Sequence, residues 1–189
     1  MSPDPMTDYV PKFKDLSEPK DVSVNSDKVV HGHSFPPQQQ ILLYSADEWE
    51  AFIEEWVHYK KTIYSKVVRF AGANDMGVDV AAFADDKGLQ GVWDNYQCKQ
   101  YKDPLTPKTG IAEIGKIMWH IHKKHITCPR KYYFLAPKDC GLALKKLLLN
   151  SHDLKAKLIE KWDDWCSKSI TNKEIIGLEG EFEKFLSSF

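Results

Sequence analysis

The 189-residue chain predicts an α/β fold, helices laid against a central mixed sheet, and three observations predict it. Apolar residues at helical spacing and stretches that alternate every second residue follow one another in the order helix, three strands, helix, strand, helices. The β stretches are short, rich in Val, Phe and Tyr, and separated by turn residues. The composition supplies a core: 42% of residues are hydrophobic and 12% aromatic, which excludes a chain disordered throughout.

Residues 1–40 read as an extended N-terminal arm and residues 41–189 as the domain. The arm is rich in Pro, Asp, Lys and Ser, holds only short apolar pairs such as Val29-Val30, and ends near Pro36-Pro37. Ile41-Leu42-Leu43 reads as a short strand or a lead-in. Ser45 stands three residues before Glu48, the spacing of a capping box. Trp49, Phe52, Ile53, Trp56 and Val57 then share one helical face, in a helix expected to run to Lys60. Glu50 lies about 90° from the centre of that face, at the boundary of the core. Lys66–Phe70 reads as a strand, 71–75 as a turn, and Val78–Ala84 as a second strand. The segment Asp85-Asp86-Lys87-Gly88 reads as a hairpin turn into a strand from Val92 to Tyr101. A loop holding Pro104 and Pro107 leads to a helix marked by Ile111, Ile114, Ile117, Met118 and Ile121. Lys131–Ala136 reads as a buried strand closed by Pro137. The remainder reads as helices over 142–149, 154–166 and 179–186, where Trp162 and Trp165 join Leu154, Leu158 and Ile159 in a packing stripe.

The net charge of -1 is unevenly divided. Residues 41–96 carry five basic and ten acidic groups, whereas residues 97–131 carry eight basic and two acidic. Such a sequence suits a metal-dependent enzyme acting on a polyanion, and equally ordinary solvated faces. Cys98, Cys128, Cys140 and Cys166 form no CxxC pair, which argues for reduced thiols and against a zinc ribbon. No apolar run approaches the ~18–20 residues of a membrane span, and the first fifteen residues lack the pattern of a signal peptide. The expectation is a soluble, cytoplasmic protein without membrane contact. No phosphate-binding glycine loop is present. In His120-Ile121-His122-Lys123-Lys124-His125, helical spacing pairs His122 with His125 and turns His120 away, with no Cys or carboxylate at zinc spacing.

The middle strands carry the chemistry. Alternation puts Asp79, Ala81 and Phe83 on one face, and Gln97 and Lys99 on one face of the next strand. A carboxylate among Val and Ala needs compensation, since burying an unpaired charge is costly. Asp79, Gln97 and Lys99 are expected to converge, in one of two roles. In the first they serve Mg²⁺: Asp79, the Gln97 amide oxygen and the main-chain carbonyl of Cys98 supply hard oxygen ligands, and Lys99 holds the attacking water and offsets charge. In the second they are a buried ion pair with Gln97 as a hydrogen-bonding spectator.

Gly77-Val78-Asp79-Val80, a hairpin, then Gln97-Cys98-Lys99-Gln100-Tyr101 resembles the core of the PD-(D/E)xK nuclease superfamily, in its Mrr-like branch. Trp49-Glu50 on the first helix resembles that branch's aromatic-Glu motif. Over about residues 45–137 the resemblance implies a restriction-endonuclease-like three-layer sandwich that hydrolyses phosphodiesters in double-stranded DNA. It assigns Glu50, Asp79, Gln97 and Lys99 to catalysis and Glu50, Asp79, Gln97 and the Cys98 carbonyl to Mg²⁺, with Mn²⁺ as a substitute. Asp75 matches an acid often found at that turn. Lys102, Lys108, Lys123 and Lys124 in the basic run would meet DNA phosphates. The Trp-rich first helix and the helices after the last strand resemble nuclease effectors of bacterial antiphage systems. In those, the partners would be other subunits of a defence complex (an SMC-like ATPase among them) or further copies of the chain. The alternative is a catalytically silent nuclease-like fold that binds DNA or assembles with partners.

Overall fold

The computed structural model describes residues 36–189 apart from 61, 62, 71, 73, 74, 172 and 173; the arm up to residue 35, with His31 and His33, lies outside the described residues. Pro37 opens helix α1 (Pro37–Leu43), its fixed φ and missing N–H suiting a first helical position. Pro37–Gln40 are therefore helical, not arm, and Ile41-Leu42-Leu43 form the last turn of a helix instead of a strand.

Helix α2 (Ala46–His58) starts with the expected capping box: the Glu48 N–H donates to Ser45 Oγ at 3.2 Å and the Ser45 N–H donates to Glu48 Oε2 at 2.8 Å. Its apolar face buries Trp49, Ile53 and Val57, each contributing roughly 1.5–3 kcal/mol of hydrophobic stabilisation.

Strands β1 (Lys66–Arg69), β2 (Val80–Phe83), β3 (Trp93–Cys98) and β4 (Lys131–Leu135) form one sheet in the order β1-β2-β3-β4. The first three are antiparallel neighbours, while β4 runs parallel to β3. A parallel neighbour requires a crossover, and helix α3 (Pro107–His122) provides it. Period-two alternation divides the core. Val80, Ala82, Tyr96 and Cys98 face α2, while Ala81, Phe83 and Trp93 face α3 and the C-terminal elements.

Those elements are α4 (Leu142–Leu148), α5 (Ser151–Glu160), a π-helical turn (Trp162–Cys166) and α6 (Gly180–Ser188). A Cβ on Gly115 would stand 2.8 Å from Cys166 Sγ, so only glycine lets α3 approach the π turn this closely. Trp162 is buried, donates from Nε1 to the Ile176 carbonyl at 2.7 Å, and meets Phe182 edge-on, as the packing stripe requires.

Several boundaries differ from expectation for local reasons. Strand β3 stops at Cys98 instead of Tyr101. The hairpin contains a 3₁₀ turn, Gly88–Gln90, that Asp85 closes by accepting from the N–H groups of Lys87 and Val92. Helix α3 starts at Pro107, capped by Thr106. Strand β4 is half-exposed because it is the sheet edge. Lys124 takes φ 57° beyond α3 and turns the chain back, so His125 meets His120 (Nδ1–Nδ1 3.0 Å) while His122 packs on Phe182 and Phe185. All four cysteines are free, with Cys98 and Cys166 buried. Among the described residues no helix is long and apolar enough to cross a membrane.

Candidate functional site

The β2–β3 ladder ends at the pair Val80 and Tyr96. Two residues further would pair Val78 with Cys98, but the Val78 N–H turns back to the Asp75 carbonyl at 2.9 Å. The strands part there, and the Cys98 N–H donates instead to Asp79 Oδ2 at 2.7 Å. Asp79 is 6% exposed at this fork. The Asp75-Met76-Gly77 turn that delivers it has left-handed φ at Met76 (55°) and Gly77 (78°), and Asp75 fastens it by accepting from the Gly77 N–H and the Lys116 ammonium.

Asp79, Gln97 and Lys99 do converge. Gln97 Nε2 donates to Asp79 Oδ2 at 2.7 Å, and Lys99 Nζ lies 3.8 Å from the same oxygen. All three approaches fall on Oδ2, leaving Oδ1 without a protein donor among the described residues. Gln97 turns its amide nitrogen, instead of the oxygen expected of a ligand, toward the acids. Its Oε1 is turned toward the Tyr132 hydroxyl (3.3 Å) and Asn95 Nδ2 (3.5 Å), two donors that fix this orientation.

Sequence reasoning missed Glu113, in the second turn of α3. Its Oε1 meets Lys99 Nζ at 3.0 Å and its Oε2 accepts from Gln97 Nε2 at 3.2 Å. One signal was available: Glu113 shares a helical face with the buried Gly110 and Ile117, at i−3 and i+4. Tyr132 was missed too, since β4 offered only an apolar-aromatic run. Its phenol is pushed well up by burial and by the nearby carboxylates, so it stays a neutral donor.

Glu50 reaches the same end of the sheet from α2. Trp49 places it: the indole Nε1 donates to the Leu135 carbonyl at 3.0 Å and the ring stacks on Phe52. Burial, and then the Asp79 charge, raise the Glu50 carboxyl, with Arg69 and Lys99 opposing. Burial likewise raises Asp79, against Lys99 and the Cys98 N–H. Burial alone would lower Lys99, but Glu113 and Asp79 outweigh it and keep the ammonium firmly charged. Burial, then Asp79 and Glu50, push the Cys98 thiol far above its usual range, so it offers no nucleophilic thiolate.

Two acids raised chiefly by burial, Glu50 also by Asp79 and Asp79 also by Glu113 and Asp75, fit a hard divalent cation, which would offset their charge. Among the described residues no three His, Cys, Asp or Glu side chains already form a metal-binding group. The basic residues are dispersed. Lys108 and Lys123 are fifteen residues apart on and just past α3, about 22 Å at 1.5 Å per residue, and Lys123 sits 4.4 Å over the Trp119 ring. Lys102 lies near the Lys99 end of β3, and Lys124 at the turn beyond α3. Compared with protein-family models, curated proteins and solved structures, the chain matches none.

Proposed function

We propose that the chain is a metal-dependent DNA endonuclease with a restriction-endonuclease-like, three-layer fold. One observation carries the reading: the strands part at Asp79 and gather Asp79, Gln97, Lys99 and Glu113 in a single bonded cluster, with Glu50 brought to its edge. Asp79 and Glu50 would hold Mg²⁺ (or Mn²⁺), which when bound supplies Lewis-acid polarisation of the phosphate and a more acidic water. Lys99, held charged by Glu113, orients the attacking water and stabilises negative charge growing on the phosphoryl oxygens. It is not a base in this state. Gln97 and the Cys98 N–H hold the Asp79 carboxylate in one rotamer, and Tyr132 holds Gln97. The resemblance extends the proposal to a nuclease effector of a bacterial antiphage complex.

A silent nuclease-like fold is the second reading, and one observation favours it: Glu113 already matches the Lys99 charge, and Gln97 donates to the acids. Plasmid nicking with Mg²⁺ and with EDTA separates the two. The nuclease reading expects EDTA to stop cleavage and Lys99→Ala to lower it at least ~100-fold, the scale of one lost charge-stabilising donor. Undiminished cutting by folded Lys99→Ala protein removes Lys99 from the mechanism, and no cutting by the wild type with any divalent ion leaves the silent fold.

A further inference from the structure

Where the chain leaves β3 it borders a cleft of about 440 Å³, walled by the α1–α2 junction (Tyr44, Ser45), by Gln100, Tyr101 and Lys102, and by Lys138 beyond β4. Its shape is fixed by Gln100, whose Nε2 donates to the carbonyls of Ile41 and Tyr44, both at 2.9 Å. Lys102 and Lys138 are exposed and make no ion pair or hydrogen bond among the described residues. Three acids beside the lining residues in sequence are engaged elsewhere: Asp47 with Arg69, Glu48 with the Ser45 N–H, and Asp139 with Lys145. Asp103, next to Lys102, has no such partner among the described residues and reduces the local charge. Tyr101 is 46% exposed and offers an aromatic face. Lys102 follows Lys99 by three residues, so their Cα atoms are no more than about 11 Å apart. That is at most the rise of about three nucleotides of one duplex strand, at 3.4 Å each.

We infer that this cleft is a nucleotide subsite, seating a nucleotide of the strand that flanks the scissile phosphate. Lys102 and Lys138 meet its phosphate and Tyr101 lies against its base. The volume falls in the range of small-ligand sites, about 300–1,000 Å³, and the two unmatched ammonium groups suit an anion with a planar ring attached. The inference rests on the nuclease reading. Continuity with Lys99 argues for a polynucleotide as the occupant; a free nucleotide shares the chemistry.

The test is fluorescence anisotropy of a labelled 20-mer, single-stranded and duplex, with the full chain in EDTA at 50–200 mM salt. Lys102→Ala and Lys138→Ala should each weaken binding and flatten the slope of log K against log salt by about 0.7–0.9, the release from one phosphate contact. Tyr101→Ala should weaken single-strand binding about fivefold or more, one base-stacking contact. Lys168→Ala, an exposed lysine outside the cleft, should change neither. Wild-type affinity and slope in the three cleft variants would overturn the subsite while leaving the nuclease reading standing. Displacement of the oligonucleotide by millimolar deoxynucleoside monophosphate would overturn the polynucleotide as occupant. A wild-type chain that binds neither oligonucleotide would sink the nuclease reading, and the subsite with it.

Discussion

Replacing Asp79 by Asn and by Ala separates the work its charge does from the work its hydrogen bonds do. Asp79 Oδ2 accepts from Gln97 Nε2 and from the Cys98 N–H, both at 2.7 Å. An Asn oxygen in that place keeps both bonds, and its amide nitrogen occupies the Oδ1 position, where no protein donor is displaced. The charge it removes is one that burial and neighbouring acids disfavour. Asp79→Asn should therefore change stability by less than about 1 kcal/mol, counting the lost attraction to Lys99 at 3.8 Å. Asp79→Ala leaves the Cys98 N–H without an acceptor, whereas Gln97 keeps Glu113. An unsatisfied buried donor costs about 1–3 kcal/mol, or about 2–12 °C in Tm at 2–4 °C per kcal/mol for a domain of this size. With ~1 mM affinity, 10 mM Mg²⁺ would add about 1.4 kcal/mol to the wild type and nothing to either variant. Because the folded carboxyl is raised, its contribution to wild-type stability is complete below the unfolded value and is lost as pH rises through the folded one. The wild type should thus lose ground to Asp79→Asn as pH rises above the ordinary carboxylate range. Thermal melts across pH, with and without Mg²⁺, measure all of this. If Asn proves as damaging as Ala, or if Mg²⁺ raises the Tm of Asp79→Asn as much as that of the wild type, the reasoning fails.

Three further outcomes follow from the same contacts. Glu113→Gln removes the anion 3.0 Å from Lys99, so the Lys99 titration followed by NMR should fall and cleavage should drop roughly 10- to 100-fold; an unmoved titration would show that Glu113 does not hold the ammonium. Trp49→Phe keeps an aromatic ring beside Phe52 but loses the 3.0 Å bond to Leu135, costing about 1–3 kcal/mol in denaturant melts and loosening Glu50, so that cleavage falls by more than the folded fraction; loss proportional to unfolding would separate Trp49 from the site. Asp94, on the other face of the sheet, accepts from Arg130 at 2.9 and 2.7 Å and from Tyr64 at 2.6 Å. Burial would raise it, but Arg130 and Tyr64 outweigh burial and hold it low, so its stabilisation is present above the ordinary carboxylate range and is lost as pH falls through the lowered value. Asp94→Asn should cost about 2–3 kcal/mol at pH 7, flatten the acid limb of the stability curve, and leave cleavage per folded molecule unchanged.

What the sequence alone determined is periodic or local. The capping box at Ser45 and Glu48 names its own partners within one turn. The apolar spacing of Trp49, Ile53 and Val57 marks the buried face of α2 without knowledge of what covers it. Alternation along the two central strands was enough to bring Asp79, Gln97 and Lys99 to one place, because a hairpin of near neighbours constrains its own register. Only the tertiary structure decided the rest. Glu113 reaches Lys99 through a crossover helix, and Tyr132 reaches Gln97 through a parallel strand; neither relation leaves a period in the chain. The direction of the Gln97 amide, which sets whether it offers oxygen or nitrogen to the acids, depends on donors 2 and 35 residues away in sequence. The charge state of Lys99 is set by burial, which opposes it, and by two carboxylates whose pull strengthens as water is excluded, and burial is a property of the packed sheet and helices together.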